Sequence, residues 1–118
     1  PWLEAGAFDI VQPDVTKVGG ISEERRIGWM AQERGVKFVP HGWNTAVGLA
    51  ADLHLASAFA TTDFVEYLTG SPYIDDIVED GWALDADGML PIPDGPGMGI
   101  RLDLERVTAY SDGESLVP

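Results

Sequence analysis

The stretch Phe8-Asp9-Ile10-Val11-Gln12-Pro13-Asp14 has a counterpart further along, Val36-Lys37-Phe38-Val39-Pro40-His41. Each is a short apolar run, then a proline, then an ionisable side chain. Proline offers no backbone N–H, so each run reads as a strand stopped at its C-terminal end. The intervening residues fit one β/α unit. A loop covers residues 14–20, and Ser22 can cap a helix whose first turn holds Glu23 and Glu24, where the helix dipole favours negative charge. Ile27, Met30 and Ala31 form one buried stripe, and Gly35 closes the helix.

The pattern then repeats. A loop over residues 41–45 leads into a helix over residues 46–59, whose stripe is Ala46, Leu49, Ala50, Leu53 and Ser57. The small residues there suit tight packing on a sheet. A third strand is expected at residues 64–67. The strand ends Asp14, His41 and Glu66 are 27 and 25 residues apart, near the roughly 30 residues of a β/α-barrel unit. Alternating strands and helices imply a parallel sheet with right-handed crossovers. Three strands cannot close a barrel, so the remaining strands are expected in sequence beyond this chain.

After Tyr67 the composition turns to Gly, Pro and Asp. Residues 81–90 read as a hairpin with Asp87-Gly88 at its turn, residues 91–99 as an irregular loop, residues 101–107 as a last strand, and residues 111–118 as a frayed tail.

The chain has 118 residues, no cysteine, and 20 acidic against 7 basic residues, for a formal charge of −13. The missing thiols exclude disulfides and a cysteine nucleophile. The charge argues against nucleic acid and anionic membranes as partners. No apolar run approaches the roughly 20 residues of a membrane span. No signal peptide is visible, so a cytoplasmic location is expected. The Asp-rich, Lys-poor surface suits a halophilic-like protein. The first residue is Pro1, which predicts a fragment, a processed product or one piece of a split gene.

In β/α sheets, function gathers at the C-terminal ends of strands. Those ends hold Asp14, His41 and Glu66. A carboxylate beside an imidazole orients it and fixes its tautomer, giving a general acid/base pair. The bland alternatives are an Asx-type loop role for Asp14, a backbone-bonded loop histidine for His41, and a solvated strand residue for Glu66. His54, inside the second helix, reads as a packing or hydrogen-bonding residue. Asp85-Ala-Asp87-Gly88 reads as a turn rather than a calcium loop.

These residues, in order, resemble the enolase superfamily. They are Asp9-Ile-Val-Gln-Pro-Asp14, Gly19-Gly-Ile21, Pro40-His41, Ala50-x-x-x-His54-Leu-Ala56, Val65-Glu66 and Pro93-x-x-Pro96-Gly-Met-Gly-Ile100. The nearest branch is the mandelate racemase and muconate lactonizing enzyme group with its acid-sugar dehydratases. The resemblance implies an α/β fold that is the C-terminal portion of a (β/α)7β TIM-like barrel, carrying strands six to eight in residues 1–67. Residues 68–110 become an extension toward a capping domain absent here. It also implies that Asp14 and His41 form the catalytic dyad and that Glu66 hydrogen-bonds the substrate carboxylate or its enolate. Lys17, Trp43 and Asn44 would lie on rim loops as substrate-binding residues. The expected cofactor is Mg²⁺. The family's metal ligands lie at the ends of strands three to five, with a Lys-x-Lys on the second, and none of these is in this chain. The expected partners are a small-molecule carboxylate, the rest of the barrel and cap, and further copies in a homo-oligomer.

The resulting reading is part of an Mg²⁺-dependent aldonate dehydratase, inactive as an isolated chain. The alternatives are a hydroxy-acid racemase or epimerase, a non-catalytic remnant, and an unrelated small α/β binding module.

Overall fold

The computed structural model describes residues 1–111. Its elements in chain order are β1 (Ile10–Val11), α1 (Ile21–Gln32), β2 (Lys37–Phe38), α2 (Ala46–Ser57), α3 (Pro72–Asp75) and α4 (Leu104–Tyr110). The strands β1 and β2 pair in parallel, with Ile10 opposite Lys37 and Val11 opposite Phe38. Bonds of the same kind run on past both strands: Val39 N–H donates to the Val11 carbonyl at 3.1 Å, and His41 N–H to the Pro13 carbonyl at 2.8 Å.

Two helices cover this pair. Phe38, Ala31, Ala51, Leu55 and Phe59 form the main core cluster. The Phe38 and Phe59 rings meet edge to face, 5.0 Å between centroids. Each buried side chain of this size contributes roughly 1.5–3 kcal/mol. Helix α2 is buried on nearly every side, and its Leu49 and Leu53 meet Ile74 of α3.

Several expectations are corrected. Helix α1 begins one residue before Ser22, behind Gly20, and no side chain caps it. Its buried face is Glu24, Gly28 and Ala31, while Ile27 and Met30 are only half-buried. Ser57 is exposed at the end of α2. Residues 64–67 run without a ladder. The neighbouring backbone bond, from Phe38 N–H to the Thr61 carbonyl, is 3.4 Å long, and Phe64 is exposed. Residues 81–90 form no paired strands. The Asp85 carboxylate instead takes the backbone N–H of Asp87 and Met89, a local turn that satisfies itself. The strand expected at residues 101–107 is replaced by α4, because Asp103 accepts from Arg106 N–H and starts a helix there. What precedes it is a single antiparallel bridge from Val78 to Leu102. The expected tail falls, beyond Ser111, outside the described residues. Among the described residues no helix is long and apolar enough to cross a membrane.

Candidate active site

The pairing register places the site. Val11 lies opposite Phe38, and Asp14 and His41 each stand three residues beyond that pair. The two therefore emerge side by side at one rim. His41 Nδ1 lies 2.8 Å from Asp14 Oδ2. Glu66 comes from the neighbouring extended segment. Its Oε2 is 3.9 Å from His41 Nε2 and accepts Gly42 N–H at 2.8 Å. Gly42 is required there, since a Cβ would overlap the Glu66 carbonyl oxygen.

Asp14 is buried, at 4 % exposure. Its Oδ1 takes Thr16 N–H at 2.9 Å and the Thr16 hydroxyl at 2.6 Å, while Lys17 Nζ pairs with Oδ2. The Asx-type turn and the contact with histidine therefore coexist on one side chain. Burial alone pushes its carboxyl upward. The hydrogen bonds from Lys17, Thr16 and His41 outweigh that and hold it well below the usual carboxylate range. An ionised carboxylate only accepts hydrogen bonds. Nδ1 of His41 must then carry the proton, which leaves the Nε2 lone pair of the neutral ring on the Glu66 side. Lys17 balances the charge of Asp14, and its Nζ also reaches the Trp43 carbonyl at 3.3 Å.

The remaining sequence candidates lie nearby but differ in exposure. Trp43 stands 72 % exposed on the rim. The Asn44 side chain turns inward and donates from Nδ2 to Asp52 Oδ2 at 3.0 Å. His54 is away from the dyad, with Nε2 3.3 Å from the Met98 carbonyl.

Two groups were missed by the sequence reading. Glu24 and Asp52 are fully buried behind the dyad, on α1 and α2. Both Glu24 carboxylate oxygens and Asp52 Oδ1 lack a hydrogen-bond partner among the described residues. Burial, then the proximity of Asp52 and Asp14, pushes the Glu24 carboxyl up to about 8. Burial pushes Asp52 to about 6 against the opposing bond from Asn44. On α1, Glu24 lies on the buried i, i+4, i+7 face with Gly28 and Ala31.

Mg²⁺ does not fit the donors present. Both Asp14 oxygens are occupied by N–H and O–H donors, and Glu66 has one oxygen so engaged. Among the described residues no group of three or more His, Asp or Glu is placed to hold a metal ion.

A parallel β/α pair with a carboxylate–imidazole dyad at its C-terminal rim defines the general class, and comparison with known proteins defines the family. Residues 1–107 match the model described as enolase C-terminal domain-like, and the chain belongs to that family. It is 37% identical to a D-galactarolactone cycloisomerase of Agrobacterium fabrum, over 92% of this chain and 31% of that protein. It is 34% identical to a D-xylonate dehydratase of Haloferax volcanii, over 97% of this chain and 28% of that protein. Among solved structures it superposes on a mandelate racemase/muconate lactonizing enzyme from Sulfitobacter sp. with a TM-score of 0.82 and 30% identity, covering 92% of this chain and 27% of the other. The chain thus spans less than a third of the length of these relatives.

Proposed function

We propose that this chain supplies the acid–base portion of an acid-sugar dehydratase. The observation that carries the proposal is the 2.8 Å contact between His41 Nδ1 and the buried, ionised Asp14. It leaves Nε2 as the basic nitrogen at the rim. In this reading Nε2 takes the proton from the carbon next to the substrate carboxylate, or returns one to the hydroxyl that leaves as water. Asp14 holds the ring and its tautomer and stabilises the imidazolium once formed. Glu66 hydrogen-bonds the substrate carboxylate or the enediolate, and Lys17 and Trp43 line the rim. A divalent metal held by groups elsewhere would supply neutralisation of negative charge at the substrate carboxylate. The described residues do not form that centre, and turnover requires groups beyond them.

A second reading, isomerisation on the same dyad, draws support from the cycloisomerase relative. Product analysis separates the two. The protein as the cell makes it, given a panel of aldonates, is expected to release 2-keto-3-deoxy acids, one water lost per turnover. Products of unchanged composition, either inverted at the carbon beside the carboxylate or rearranged, would replace this reading with the second.

A further inference from the structure

The segment from His41 to Asn44 is fastened residue by residue. His41 N–H donates to the Pro13 carbonyl, Gly42 N–H to Glu66, and the Trp43 carbonyl receives Lys17. These three ties come from rim elements. The fourth is different: Asn44 Nδ2 reaches down 3.0 Å to Asp52 Oδ2, on the second turn of α2 and fully buried. The Asn44 side chain lies directly against Gly48, where a Cβ would come within 2.5 Å of its Cγ. The absent side chain at Gly48 leaves the room that Asn44 occupies on its way down the helix surface to Asp52. A buried carboxylate is costly to keep unless it holds something. Among the described residues Asn44 is the side chain that hydrogen-bonds Asp52, while Asp14, His41 and Lys17 act on it through charge.

We infer that Asp52 is a positioning residue. Through Asn44 it clamps the end of the segment that begins with His41, so that the imidazole stays against Asp14. The inference rests on the dyad of the proposed function, but its first test does not need turnover. A hydrogen bond to a charged group shifts an opening equilibrium by roughly 10- to 100-fold. In the protein as the cell makes it, Asp52→Ala is expected to speed amide hydrogen exchange at His41 and Gly42 by about that factor. Exchange at Leu55, on the far turn of α2, should not change. Asp52→Asn keeps an acceptor for Asn44 and should restore slow exchange. With a sugar acid as substrate, Asp52→Ala is expected to lower kcat about 10-fold with KM little changed, and Asp52→Asn to recover it.

Asn44→Ala breaks the same tie without altering α2. It is expected to reproduce the faster exchange, and combining it with Asp52→Ala should add nothing further. This variant keeps the test decisive if Asp52→Ala fails to fold. Wild-type exchange at His41 and Gly42 in Asn44→Ala overturns the inference. So does accelerated exchange spread equally to Leu55 in Asp52→Ala. Altered exchange in a protein that turns over no sugar acid leaves the clamp standing and removes the dehydratase reading instead.

Discussion

Replacing His41 by asparagine is expected to lower kcat by about 10²–10⁴-fold, the usual worth of a positioned general acid/base. Asparagine isolates the chemistry from the fold. Its amide N–H can take over the place of Nδ1 and keep donating to Asp14, whose buried carboxylate then does not lose that partner. The neighbouring ties, from Thr16 and Lys17 to Asp14 and from Gly42 to Glu66, do not involve the ring. What disappears is the basic nitrogen at the Nε2 position. Steady-state kinetics on a turned-over aldonate check this: kcat should fall while KM changes little, and the unfolding midpoint should stay near that of the parent. A variant that keeps a tenth or more of the parent kcat would show that another group moves the proton.

The second large effect lies in stability against pH and centres on Glu24. Its carboxyl, fully buried and without a partner among the described residues, is pushed from an ordinary 4.5 to about 8 by burial and by Asp52 and Asp14. Between those values the folded state holds a proton that the unfolded state has released. Stability therefore falls as pH rises from about 4.5 to about 8, then levels off. Asp52 adds the same sign between 3.8 and about 6. Asp14 acts oppositely. Its folded value is depressed, so its contribution is present above the ordinary aspartate range and is lost only as pH falls below it. The protein should thus be most stable in mildly acidic solution, near pH 4–5. Glu24→Gln removes the larger decline. Relative to the parent it should gain on the order of a few kcal/mol between pH 4.5 and pH 9. Urea unfolding at those two pH values measures the gain. Parallel stability curves for parent and variant would show that Glu24 titrates normally in the fold.

The rim was legible because two strand ends repeat the same pattern. Once Val11 and Phe38 pair, equal offsets put Asp14 beside His41 whatever the loops do. The layer behind the rim was not legible. Glu24 in a first helical turn fits the dipole rule for an exposed acid, and only the packing of α1 on its neighbours turns it inward. Asp52 sits in a helix buried on nearly all sides, where periodicity carries little signal. The C-terminal extension misled for a different reason. Leu102 and Leu104 alternate with polar residues as in a strand, yet Asp103 between them is a helix cap. The double glycine before Ile21 moved another boundary, because Gly19 and Gly20 both adopt positive φ and bring the chain into α1 ahead of Ser22.

The proposed role of His41 is to move a proton at the carbon next to a carboxylate. It is tested most directly by isotope exchange. The protein as the cell makes it and its His41→Asn variant are each incubated with an aldonate in D₂O. The C2 proton and the deuterium content of the product are followed by NMR. The parent is expected to consume the C2 proton and to give a product that carries solvent deuterium at C3. Over the time in which the parent goes to completion, the variant is predicted to leave nearly all of the C2 proton and the aldonate in place. Loss of the C2 proton at the parental rate in His41→Asn would contradict it.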